Sequence, residues 1–212
     1  MTNTLSTPTV RDVLTRLHGA ADADERAPHR AIPAGADAQE LADLMADIYM
    51  PISARGGELL YSLIRAARPE TVVEFGTSYG ISTLYLAAAV ADNGVGHVYG
   101  TEMSATKLAA AQDVLAEAGL ADHVTILHGD ARSTLDAVPG PIGLVLLDGW
   151  KDLCLPVLRS LEPRLTPGAL VVADDTTMAT MAEYLDYVRT PGNGYVSVDF
   201  PVEDGMEISC RA

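Results

Sequence analysis

Cysteine, aromatic residues and positive charge are all scarce in this sequence of 212 residues. Its two cysteines, Cys154 and Cys210, make no disulfide framework and suit a reducing cytoplasm. Aromatic residues make up 5%, so a core must be assembled from Ala, Val, Leu and Ile. Fourteen Lys and Arg stand against 29 Asp and Glu, a formal net charge of -15. That balance excludes nucleic acid and anionic membrane surfaces as main partners. No apolar run approaches the length needed to span a bilayer. The start, MTNTLSTPTVRDVL, lacks the basic and then apolar order of a signal peptide. Repeats, low-complexity tails and flexible linkers are also lacking. A length of 212 residues therefore fits one domain, residues 1–212. What is present is a 48% hydrophobic composition, enough for a large core.

The stretch that organises the rest is Leu144–Asp152, LVLLDGWKD. With Ile142 it forms a short continuous apolar run, as expected of a strand buried on both faces of a parallel sheet. Open parallel sheets bind ligands beyond the carboxyl ends of their strands, which is where Asp148 and Lys151 fall. A second strand ends the same way, Ala169–Asp175, ALVVADD. Apolar spacing predicts helices around Val10–Leu17, Gln39–Tyr49 and Gly56–Ala67, with a loop at Ala27–Ala38 and Pro51 stopping the second helix. Strands are predicted at Thr71–Phe75, His97–Glu102, Val124–His128, Ile142–Leu147 and Ala169–Ala173. Helices alternate with them near Ser82–Ala91, Ala105–Ala118, Ala131–Ala137, Leu153–Leu165 and Met178–Arg189. That alternation is the mark of an α/β fold with a parallel sheet. Tyr195–Val202 and Met206–Arg211, joined by a tight turn, predict a closing antiparallel hairpin and bring the strands to seven.

Val72–Ser82 reads VVEFGTSYGIS: a strand, Gly76, three residues, Gly80, then a helix. Glycines there let the backbone turn sharply beside a ligand at a helix N-terminus. A dinucleotide fingerprint would read GxGxxG, so this ExGxxxG weakens a nicotinamide reading. Glu74 would repel a pyrophosphate and suits a cationic group, such as the amino group of an amino-acid moiety. The second strand ends at Glu102, able to accept hydrogen bonds from two ribose hydroxyls. The third ends HGDA, with Asp130 placed for an adenine amino group. Taken singly, Glu102 also reads as a solvated strand end and Asp130 as a helix cap. Taken in order, they describe a site for an adenosine-linked amino acid. That is the pattern of class I S-adenosylmethionine-dependent methyltransferases.

LLDGWKD closely resembles the LDxWKD segment of catechol O-methyltransferases, and the resemblance runs from Tyr49 to Glu207. YMPISARGG, PGALVVADDT, EYLDYVR and DGMEIS match as well. The resemblance implies a Rossmann-like, doubly wound sheet with N-terminal helices, residues 1–50 capping the acceptor pocket. It implies Mg2+, or another divalent cation, on Asp148, Asp174 and Asp175, although Asp175 stands where the family has Asn. Lys151 takes the place of the family's general base, a role that needs a lowered pKa. Met50, Trp150, Lys151, Met206 and Glu207 fall in the acceptor pocket. Ile52, Glu74, Gly76, Ser78, Gly80, Ser82, Glu102, Met103, Asp130, Ala131, Asp148 and Trp150 fall at the cofactor. The implied activity is S-adenosylmethionine- and Mg2+-dependent O-methylation of a small molecule with vicinal hydroxyls, by a cytoplasmic monomer or homodimer. The rivals are a metal-independent methyltransferase of the same fold, a nicotinamide-dependent oxidoreductase and a non-catalytic cofactor-binding protein.

Overall fold

A computed structural model describes residues 3–24 and 35–212. Most of the loop expected at Ala27–Ala38 lies outside the described residues. Seven strands form one sheet: β1 Thr71–Phe75, β2 His97–Glu102, β3 Val124–His128, β4 Ile142–Leu147, β5 Leu165–Asp174, β6 Tyr195–Phe200 and β7 Met206–Arg211. Their order is β3-β2-β1-β4-β5-β7-β6. The first five run parallel, and β7 is antiparallel to both β5 and β6. The α/β reading and the closing hairpin are therefore both present. The chain leaves β1 toward β2 and β3, then returns to β4 on the other side. Such a reversal opens a crevice at the carboxyl ends of β1 and β4.

Alternating side chains divide the core into two layers. Val72, Leu144, Leu146 and Val172 face α1 Pro8–Asp24, α3 Ala54–Ala67, α4 Ile81–Asn93 and α5 Ala105–Glu117. Val73, Phe75, Val145, Leu147 and Val171 face α6 Ala131–Thr134, α7 Cys154–Leu161 and α8 Ala182–Arg189. Both faces of the central strands are thus covered, which is why β4 reads as an uninterrupted apolar run. Between α1 and α3 lies the short α2, Ala38–Leu44, started by an Asp37–Glu40 capping box. The periodicity predicted a helix continuing to Tyr49. It stops instead because Met45, Ala46 and Ile48 bond in tight turns, and the Tyr49 N–H goes to the Asp24 carboxylate at 2.8 Å. The helix predicted over Leu153–Leu165 narrows to α7 between two 3-10 turns, the second containing Pro163, which has no N–H to continue a ladder. Strand β5 starts four residues before its predicted Ala169, because Leu165 pairs with Ile142 ahead of an irregularity in the register. Among the described residues no helix is long and apolar enough to cross a membrane.

Leu146 has no exposure at the centre of the sheet, whereas Val196 on the edge strand is 74% exposed. Leu146→Ala is expected to lower the unfolding free energy by about 2–5 kcal/mol. Val196→Thr should stay within about 0.5 kcal/mol of wild type. Urea unfolding of both variants checks the contrast.

Candidate functional site

The crevice between the β1 and β4 ends holds a cavity of about 390 Å³. That lies in the range of small-molecule sites, roughly 300–1,000 Å³. The two strand ends are tied directly, since the Asp148 N–H donates to the Phe75 carbonyl at 2.9 Å. Gly76 follows with φ +98, and a Cβ there would stand 2.7 Å from the Asp148 carbonyl. Only glycine lets the two loops pass this closely.

On the β1–β2 side the wall comprises Phe75, Gly76, Thr77, Ser78, Tyr79, Ser82, Thr101, Glu102, Met103, Gly129 and Ala131. The Glu102 carboxylate accepts from the Ser78 N–H at 2.8 Å and the Ser104 N–H at 2.7 Å. Ser78 holds a left-handed φ of 48, and its buried hydroxyl has no partner among the described residues. On the β4–β5 side the wall comprises Asp148, Gly149, Trp150, Lys151, Asp175 and Met178. The cap supplies Ala42, Met45, Tyr49, Met50 and Ile52.

Twelve of the residues singled out from sequence meet at this one cavity: Met50, Ile52, Gly76, Ser78, Ser82, Glu102, Met103, Ala131, Asp148, Trp150, Lys151 and Asp175. Six do not line it, and each has a physical reason. Glu74 is fully buried beneath the loop, where its carboxylate accepts from the hydroxyls of Thr77 at 2.8 Å, Ser82 at 2.7 Å and Thr83 at 2.6 Å. Its role here is to hold the glycine loop. Gly80 serves as the N-cap of α4, with φ +84. Asp130 caps α6 and is ion-paired to Arg132 at 2.6 Å. Asp174 is the last residue of β5, paired in register with Met206. Met206 is packed in the core. Glu207 is sealed in the sheet, accepting from the Arg189 guanidinium at 2.9 Å and the Ser197 hydroxyl.

The charged end of the cavity is crowded. The Lys151 ammonium lies 2.7 Å from Asp148 and 2.9 Å from Asp175, with Lys151 and Asp148 only 10% and 12% exposed. Burial alone would lower the lysine pKa, but the two carboxylates outweigh it and hold the group above its ordinary value. The lowered pKa expected from sequence is thus not present in this arrangement. Burial raises Asp148, against the pull of Lys151. Asp174 is pushed up to about 8, by burial first and then by repulsion from Asp148 and Asp175. Asp175 sits at φ 55, and the following backbone is fixed by Thr176 and Thr177 N–H bonds to Gly205 and Asp204, both 3.1 Å. Among the described residues, no group of three or more His, Cys, Asp or Glu side chains is arranged to hold a metal.

Sequence reasoning expected residues before Met50 at the acceptor pocket, without naming them; they are Ala42, Met45 and Tyr49. It missed Phe75, Tyr79, Lys107 and Gly129. Gly129 stands inside the quoted HGDA, next to Asp130. Lys107, 2% exposed and lowered to about 8 by burial, gives no signal beyond a lone lysine in an Ala-rich helix.

Comparison with known proteins fits this geometry. Residues 73–176 match the family described as a methyltransferase domain. A probable O-methyltransferase of Mycobacterium tuberculosis is 33% identical over 144 residues, 63% of this chain and 60% of that protein. Catechol O-methyltransferase B of Danio rerio is 29% identical over 174 residues, 76% of this chain and 65% of that protein. The chain therefore spans less than two thirds of the length of these two relatives. The solved O-methyltransferase from Bacillus cereus in complex with SAH superposes with a TM-score of 0.66, at 16% identity, over 92% of this chain and all of that one. In sheet order, matched domain and relatives the chain is similar to the class I O-methyltransferases. Within that class the chain is similar to the catechol O-methyltransferases.

The Glu74 carboxyl, pushed from 4.5 up to about 7 by burial against the pull of its three hydroxyl partners, gives a pH test. Its folded pKa exceeds the unfolded one, so its stability contribution is full below about 4.5 and is lost as pH rises through about 7. At about 1.4 kcal/mol per pH unit the loss is roughly 3 kcal/mol. Glu74→Gln does not titrate, and the Ser82 hydroxyl can turn to accept from its amide. Urea unfolding at pH 4.5, 6 and 8 is expected to show wild type losing stability relative to this variant across that window.

Proposed function

We propose that the protein transfers the methyl group of S-adenosylmethionine to one hydroxyl of a small acceptor carrying vicinal oxygens, with a divalent cation such as Mg2+ bound. The observation that carries the reading is the meeting of two halves at one cavity: the glycine loop with Glu102, and the Asp148–Lys151–Asp175 cluster. The same reading makes the acceptor a small molecule, residues 1–50 a cap within a single domain, and the protein a cytoplasmic monomer or homodimer.

Lys151 pairs with two carboxylates, Asp148 and Asp175, and a third, Asp174, is pushed up by burial first and then by repulsion from those two. Hard carboxylate oxygens in excess of positive charge suit Mg2+ in kind. Asp148, Asp175 and Asp174 suit a divalent cation in kind, though not in the arrangement described, where Lys151 occupies two of them and the three are not gathered around one point. When bound, the cation supplies Lewis acidity toward an acceptor hydroxyl and a template for its neighbour. S-adenosylmethionine, when bound, supplies an electrophilic sulfonium methyl.

The chain's own groups do the rest. Glu102 offers carboxylate oxygens to the ribose hydroxyls, and Met103 and Ala131 flank the adenine side. Phe75, Trp150, Met50 and Met178 exclude water from the space between donor and acceptor. Sulfonium and phenolate charges cancel during transfer, so a dry wall favours the reaction. Orienting the two reactants can supply roughly 7–11 kcal/mol of the barrier reduction. Lys151 is placed to take the acceptor proton: a cation on Asp148 and Asp175 would remove what holds its pKa up, and burial would then lower it toward a base's range.

Nitrocatechol titrated into the protein with S-adenosylmethionine, followed by phenolate absorbance, tests the reading. Binding is expected with Mg2+ and should vanish with EDTA; binding indifferent to EDTA, or none, would sink the metal-template mechanism. Lys151→Met should lower kcat at least about 100-fold, the scale of a lost general base, with KM for S-adenosylmethionine little changed. Asp175→Asn, with one charge fewer, should keep activity while needing more Mg2+ for half-saturation.

A further inference from the structure

We propose that Tyr79 is a positioning residue that clasps the cap segment, Ala42–Ile52, onto the cofactor loop and so sets how fast cofactor and product exchange. The proposal rests on the cofactor reading above. Tyr79 belongs to the loop Gly76–Gly80, and its hydroxyl donates across to the Ala46 carbonyl at 2.8 Å. Its ring stacks on Tyr49 of the cap, with centroids 4.0 Å apart and planes within 14°. Such offset stacks hold two surfaces together without any ligand between them. The Tyr49 N–H is in turn held by Asp24 at the end of α1, 2.8 Å away. The buried Lys107 ammonium stands 5.6 Å from the Tyr79 ring centre, within cation–π reach.

The two sides of this clasp differ in rigidity. The loop is fixed by the Thr77 N–H to Thr101 at 3.0 Å, the Ser78 N–H to Glu102 at 2.8 Å and the hydroxyl bonds into Glu74. The cap's regular structure, among the described residues, is the seven-residue α2 and the tight turns after it. A helix that short has little stability of its own and stays in place through what it packs on. Met45, Tyr49 and Met50 of the cap wall the same cavity as Gly76, Glu102 and Met103, so opening the cap widens the way to the cofactor's place. Tyr79 is therefore a fixed post to which a weakly self-supporting lid is fastened. It touches the cap through two separate features, a hydrogen bond and a stack.

Trp150 is the sole tryptophan and lines the cavity, so its fluorescence can follow occupancy. Stopped-flow mixing with S-adenosylhomocysteine, backed by calorimetry, compares wild type with Tyr79→Ala, Tyr79→Phe and Tyr49→Ala in the full chain. In Tyr79→Ala and Tyr49→Ala, association and dissociation rates are both expected to rise about fivefold or more, with Kd within about twofold, as for a gate. Tyr79→Phe keeps the stack and should rise less. Unchanged rates overturn the clasp. So does a rise in dissociation alone with Kd weakened to match, which marks a plain ligand contact. If Tyr79→Ala does not fold by thermal melt, Tyr79→Phe and Tyr49→Ala decide by the same criteria. Wild type that binds no S-adenosylhomocysteine by either method overturns the cofactor reading itself, a result distinct from binding with unaltered rates.

Discussion

The constraint on which the rest depends is the parallel pairing of β1 with β4, closed at its end by the Asp148 N–H to the Phe75 carbonyl. The pairing brings together segments more than 70 residues apart in sequence. One strand end turns into the glycine loop, the other into Asp148, Trp150 and Lys151. Because a single hydrogen bond joins them, a molecule resting on the loop lies next to the carboxylates without further arrangement. Gly76 is part of the same constraint, since any side chain there would force the ends apart.

Electrostatics in the site follow from putting several carboxylates where little water reaches. Near the loop, Glu74 is satisfied by three hydroxyls and withdrawn from the cavity, while Glu102 stays at its wall with two backbone N–H partners. Near β4 and β5 the carboxylates are in excess, and Lys151 is held charged between two of them. A structural acid below the loop, an accessible acid beside it, and an unbalanced acidic cluster opposite are three outcomes of the same residue type. Burial and partners separate them.

Most of the fold was legible because it rests on short-range signals. The central strands are continuous apolar runs, and four of the five parallel strands, β1 to β4, have the bounds that patterning predicts. The helix ends were less so, since Tyr49 owes its backbone bond to Asp24 and not to its own helix. For the site, strand ends told which residues come near the crevice, but not which way a side chain turns. Glu74 and Glu102 both end or nearly end a strand. Both point to the same face, since Glu74 pairs with Gly100, two residues before Glu102; Glu74 lies deeper, beneath the loop, where Thr77, Ser82 and Thr83 supply hydroxyls. At Glu207 the carboxylate is likewise taken up from elsewhere in the fold, by Arg189 brought from α8. Tyr79 and Lys107 gave no signal, because their importance lies in a cap whose docking no local pattern encodes.

The inner position of β7 bears on how the protein is built. It follows β6 in sequence yet lies between β6 and β5. During synthesis the flank of β5 stays open until residues up to Arg211 have left the ribosome and slotted in. Non-local pairing of this kind is intrinsically slow. Until then the segment after Asp175 lacks the Gly205 and Asp204 carbonyls that fix it. The acidic cluster is thus among the last parts of the molecule to acquire its shape, although Asp148 directly follows β4 and Asp174 ends β5, strands made before β7. An incomplete chain would carry the crevice and its glycine loop without a finished acidic end.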